Sequence, residues 1–134
     1  MMYDYLNNLK NVEPLNIGLS NQIGIKNMSN NKGELNKILI NDDDDSEMVT
    51  VSTLDQITQN KKNISLLKID VEGYEMEVLK GATETIKNVE YIMIELNNNT
   101  KRYGSSNLEI EKHLPTLGFT MLFKIWPDII YRRQ

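Results

Sequence analysis

The chain of 134 residues contains no cysteine. Disulfides, thiolate metal sites and a thiolate nucleophile are therefore excluded, and a reducing compartment is weakly favoured, which makes the cytoplasm the expected location. A basic stripe is also missing. The fifteen Lys and Arg are scattered, and a formal charge of -4 with a pI near 5.0 gives no general attraction to phosphate backbones, so nucleic acid is not an expected partner. No apolar run approaches the roughly 20 residues needed to cross a bilayer. The opening MMYDYLNNLK lacks the basic-then-apolar order of a signal peptide. A soluble chain without a membrane span is expected. Internal repeats are not visible. What is present is ordinary for a globular chain: 40% hydrophobic and 25% charged residues, enough apolar surface for one core at this length. One domain, 1–134, is expected.

Tyr5, Leu6 and Leu9 stand at helical spacing before Asn11 and predict the last turns of a helix over 1–10. Val12 to Leu19 (VEPLNIGL) predicts a strand closed by Ser20 and Asn21, and Gly24 predicts a turn or bulge with a short strand around Ile23 to Lys26. Residues 27–47 contain Asn, Gly and the consecutive acids Asp42 to Asp45, which repel one another, so a flexible acidic surface loop is expected there. Its spacing lacks the alternating ligands and central glycine of an EF-hand. Met48 to Ser52 then predicts a strand, with Thr53 or Ser52 capping a short helical turn through Leu54, Asp55 and Ile57.

Ile64 to Val71 (ISLLKIDV) is a nearly continuous apolar run, the pattern of a strand covered on both faces of a parallel sheet. From Glu72 to Lys87 the period becomes helical, with Gly81 as an interruption that does not end the helix. A second buried strand, Val89 to Leu96, follows. The order strand, helix, strand predicts parallel neighbours, because a right-handed crossover needs a dozen or more residues and this connection supplies them. Asn107 to Leu117 predicts a helix that Pro115 bends or ends. Phe119 to Ile125 and Ile129 to Arg132, joined through Trp126-Pro127-Asp128, predict a terminal antiparallel hairpin.

In open α/β sheets, ligands bind beyond the carboxyl ends of the strands, and both buried runs end in acids. Lys68, Asp70 and Glu72 alternate and share one face of the first run, so the lysine is expected to pair with Asp70 or another acid. Adjacent strands lie about 4.8 Å apart, which would bring Asp70 close to Glu95 at a common edge. Glu75 falls within the apolar stripe of the helix and is expected to point toward the sheet and join this crevice. Such a cluster can raise the pKa of one carboxylate for general-base work or coordinate a divalent cation, although no metal is assigned. The same residues also have structural readings. Glu72 and Glu75 suit a helix start, and Lys68 with Asp70 suits a plain ion pair. His113 has no visible partner and is given no role. Tyr74, Tyr91, Phe119 and Trp126 read as core.

The stretch Leu66 to Ala82, LLKIDVEGYEMEVLKGA, resembles the fourth-strand signature of the FkbM family of S-adenosylmethionine-dependent methyltransferases. VEPLNIGLSNQIG resembles that family's third strand and following turn, and VSTLDQI and IMIEL continue the likeness in order. The resemblance implies an α/β, Rossmann-like class I methyltransferase fold, here partial: it lacks the first strands and ends in a C-terminal antiparallel β-hairpin. It implies S-adenosylmethionine as cofactor and O-methylation of a small-molecule, sugar or lipid hydroxyl. By position, Asp70, Glu72, Glu75 and Glu95 would be catalytic or line the cleft, and Asp70 and Gly73 would contact the cofactor. Asp70 would position or deprotonate the acceptor. Asp70, Glu95 and Asn97 also resemble the metal-binding set of catechol-type methyltransferases. The family's glycine loop and ribose-binding acid have no counterpart before Asn11, so weak cofactor binding by the chain alone is expected. A non-catalytic interaction or structural protein retaining a truncated fold is the alternative. Because the first strand would neighbour the fourth, a homo-oligomer or a partner chain completing the sheet is expected.

Overall fold

The computed structural model describes residues 6–29, 38–40, 46–59 and 61–134. The helix expected over 1–10 falls mostly outside them; Leu6 is helical and a turn follows through Lys10. The acidic run Asp42 to Asp45 also lies outside the described residues. The architecture is mixed α/β, with two sheets and short helices.

The first sheet holds β1 (Gly18–Leu19), β2 (Gly24–Ser29) and β3 (Ser46–Ser52) in the order β1-β3-β2. β3 pairs parallel with β1 and antiparallel with β2. The strand expected over 12–19 is cut to its last two residues. Residues 12–17 run outside the sheet and leave Val12 and Leu15 exposed. Thr53 accepts the Gln56 amide and caps α1 (Leu54–Thr58), as its side chain predicts.

The second sheet carries β4 (Ile64–Ile69), β5 (Val89–Glu95), β6 (Phe119–Ile125) and β7 (Asp128–Arg133) in the order β4-β5-β7-β6. β4 and β5 are parallel neighbours, with Ile69 opposite Ile94. β6 and β7 form the antiparallel hairpin, which bulges between Met121 and Phe123. One face packs into the core: Ile69, Ile92, Ile94, Phe119, Ile129 and Tyr131 meet helical residues including Val78, Leu79, Ile110 and Leu114. Each such side chain contributes roughly 1.5–3 kcal/mol on burial. On the other face Leu66 and Lys68 of β4 are exposed, so this strand is covered on one side only, contrary to its apolar pattern. Among the described residues β4 is also an edge, paired with β5 alone. Trp126, expected in the core, is 56% exposed in the turn that joins β6 to β7.

The helix expected from Glu72 to Lys87 breaks into α2 (Glu75–Lys80) and a 3-10 turn, Thr85–Asn88. Gly81, which caps α2, is glycine for a steric reason. A Cβ there would lie 2.1 Å from the Ser20 carbonyl oxygen, so only glycine permits this approach. Asp55 then organises the next segment by accepting the Thr83 hydroxyl and the Glu84 and Thr85 amides. α3 (Asn107–Thr116) starts in a Ser106–Glu109 capping box and contains Pro115 in its last turn. At the amino ends of β4 and β5, the Arg133 guanidinium donates to the carbonyls of Val89, Leu117 and Ile86 and stacks 4.4 Å from the Phe119 ring centre. Among the described residues no helix is long and apolar enough to cross a membrane.

Candidate functional site

The parallel register brings the carboxyl ends of β4 and β5 level, so Asp70 immediately after β4 and Glu95 at the end of β5 meet at one rim. Glu72 joins them. Asp70, Glu72 and Glu95 each present one oxygen within 4.8 Å of the others. Asp128 stands opposite Glu95 where β7 begins. Among the described residues the cation in this group is Lys68, whose Nζ donates to Asp70 at 2.9 Å. That hydrogen bond and the Asp70 charge raise the pKa of the exposed ammonium. Both partners face solvent, which makes the pair weak.

Three like charges this close resist joint ionisation. Partial burial raises the Glu95 pKa, and the charges of Asp70, Asp128 and Glu72 push it further up while Lys68 opposes them. Glu95 therefore holds its proton to higher pH than an ordinary glutamate.

The turn between β4 and α2 has unusual backbone. Glu72 sits at φ 53° and Gly73 at φ 106°, both in the left-handed region. Two contacts fix this turn to the segment after β5. The Asn97 and Asn99 side-chain amides both donate to Glu72 Oε2, at 2.9 and 3.1 Å. A Cβ on Gly73 would fall 2.6 Å from the Asn99 carbonyl carbon and oxygen, so the two segments touch through bare backbone.

Glu75 does point inward and is 1% exposed. It is turned beneath the turn, outside the three-acid rim: Oε1 accepts the Gly73 amide at 2.9 Å, and Oε2 is buried with no hydrogen-bond partner among the described residues. Burial raises its pKa, and the backbone amides around it offset part of that rise.

The sequence thus brings Asp70, Glu72 and Glu95 to one place, and the structure sets Glu75 and Gly73 behind them. Asp128 and Asn99 escape sequence reasoning. Asp128 reads as a turn residue until the hairpin register puts it opposite Glu95, and Asn99 sits in a polar run with no periodicity to mark it. His113 is half-buried and stands apart, lining a shallow surface with Met76 and Lys112.

A family model of the methyltransferase FkbM domain matches residues 6–121, which include every residue of the rim except Asp128. Hexuronic acid methyltransferase AglP of Haloferax volcanii is 34% identical over 70 residues, covering 52% of this chain and 29% of that protein. The chain thus matches less than a third of the relative's length. No solved structure gives a significant match.

Proposed function

The chain belongs to the FkbM methyltransferase domain family, and from that premise we propose that it forms the acceptor side of an S-adenosylmethionine-dependent O-methyltransferase with a partial Rossmann-like fold. The observation that carries this reading is the meeting of Asp70 and Glu95 at the carboxyl ends of two adjacent parallel strands, where such sheets bind ligands.

S-adenosylmethionine, when bound, supplies an electrophilic methyl group on a positively charged sulfur. A rim of three carboxylates suits that charge. The fit is limited to this reacting end. Gly73 is buried against Asn99 and offers no open cradle, and the described residues contain no glycine-rich loop for the methionine and ribose ends. In this reading a partner chain supplies those contacts.

On the acceptor side, Asp70 is the exposed carboxylate that accepts the proton of the acceptor hydroxyl, with Lys68 fixing its orientation. Glu95 stands beside Asp70 at the rim, where it can accept from a neighbouring hydroxyl of the acceptor. Vicinal hydroxyls, as on a sugar ring, match this pair of acceptors. A hexuronic acid, named for the relative, is one such sugar, and small-molecule and lipid hydroxyls are the other acceptor classes.

Calorimetric titration of the chain with S-adenosylmethionine, alone and mixed with candidate partner chains, tests cofactor binding. Transfer of labelled methyl to sugar hydroxyls tests the reaction. Silence in both, with every partner, removes the proposal. A second reading has its own observation: among the described residues β4 is an edge, and its Leu66 is 55% exposed, as suits a non-catalytic assembly protein that docks there through strand addition. An oligomer or mixed complex with no cofactor affinity and no effect of Asp70→Asn favours it.

A further inference from the structure

We infer that Asn97 and Asn99 are positioning residues that hold the Glu72 carboxylate in the rim beside Asp70 and Glu95. Their importance to methyl transfer rests on the reading above, but the geometry stands without it.

Glu72 has two reasons to leave its place. It occupies the left-handed region at φ 53°, which non-glycine residues seldom adopt, and its carboxylate lies among like charges. An extended backbone and a solvent-facing side chain would relieve both. The two side-chain amides oppose that movement by converging on the same oxygen, Oε2. Asn97 is itself fixed, because its Oδ1 accepts the Asn99 amide at 3.0 Å and so commits its Nδ2 to Glu72. The backbone of Asn99 rests on Gly73, which brings the second donor within reach. The turns after β4 and β5 are therefore braced against each other through Glu72.

Neutral donors suit this task. A lysine would hold Glu72 equally well but would cancel its charge, whereas amides leave the negative field of the rim intact. That field acts on Glu95, which faces Lys68 from β4, Asp70 and Glu72 from the turn after it and Asp128 from β7.

The test is a carbon-detected NMR titration of the Glu95 carboxyl in the full chain, assigned with Glu95→Gln. The variants compared are Glu72→Gln, Asn97→Ser with Asn99→Ala, and all three together. Serine keeps a side-chain acceptor for the capping bond but falls short of Glu72. The Glu95 midpoint is expected to fall in Glu72→Gln, to fall toward the same value in the paired amide variant, and to fall no further in the triple variant. A midpoint that stays at the wild-type value in the paired variant overturns the inference, and so does an additive fall in the triple. Should the paired variant fail to fold, Asn99→Ala alone decides in the same way, because its side chain caps no helix. A wild-type chain that transfers no methyl with any partner refutes the functional reading and leaves this titration to judge the brace.

Discussion

Replacing Gly73 with alanine separates two physical effects at the turn that carries Glu72. The first is conformational: at φ 106° an L-residue with a Cβ incurs about 1–2 kcal/mol. The second is steric. The new methyl would lie 2.6 Å from the carbonyl carbon and oxygen of Asn99, which are backbone atoms and cannot rotate aside. Overpacking of this kind costs about 1–3 kcal/mol when the neighbours shift to make room. The sum is about 2–5 kcal/mol, and at about 3–4 °C per kcal/mol for a chain of this size the melting temperature should fall by roughly 6–20 °C. Gly104 supplies the control, since it has φ 74° and nothing within 4 Å of its added Cβ. Gly104→Ala should therefore show the conformational part alone, roughly 3–8 °C. Differential scanning calorimetry on both variants checks the difference. If Gly73→Ala melts no lower than Gly104→Ala, the segment after β5 does not rest on Gly73 and the reasoning fails.

Glu75→Gln should alter the pH dependence of stability. Burial raises the folded pKa of Glu75 above its ordinary 4.5, so its contribution is fully present below that value and is lost as pH rises through the folded pKa. The variant should gain on the wild type in thermal melts as pH rises from acid to neutral, and a constant gap would contradict this. Asp55 behaves oppositely. Burial pushes its pKa up, but the Thr85 and Glu84 amides and the Thr85 and Thr83 hydroxyls outweigh it and hold the carboxyl below its ordinary 3.8. Asp55→Asn should lose about 1–2 kcal/mol at neutral pH. That deficit should vanish as acid protonates the wild-type carboxyl through its depressed folded pKa, as denaturant melts at stepped pH will show. Asp70→Asn should lower methyl transfer by about 100-fold or more, the usual contribution of a general base, with little change in melting temperature because Asp70 is exposed.

The parts of the fold legible in the sequence are those set by local pattern. The Thr53 cap, the β4 and β5 runs with their parallel order, and the hairpin around Trp126-Pro127-Asp128 follow from turn chemistry and periodicity. The breaks come from tertiary contact. Gly81 reads as a tolerable interruption of a helix, yet α2 stops there, and the approach of Ser20 from far along the chain is what requires glycine. ISLLKIDV reads as doubly covered, yet Leu66 and Lys68 stay in solvent because the described residues bring nothing over that face. At the site, the meeting of Asp70 with Glu95 was implied by two parallel strands ending in acids. Glu75 looked equivalent on a helical wheel, but α2 starts only at Glu75 itself, and the preceding turn carries its carboxylate under Gly73. Asp128 depended on hairpin register, which composition does not encode.

The Arg133 side chain has a bearing on how this molecule tolerates change. Its planar fork ties the Ile86 and Val89 carbonyls, at the entry to β5, to the Leu117 carbonyl after α3. A lysine has one small ammonium and no such span, so charge conservation there would not conserve the knot. The second sheet is thus fastened at both poles, by the Arg133 fork at one and by the close fit of Gly73 against Asn99 beneath the acids at the other.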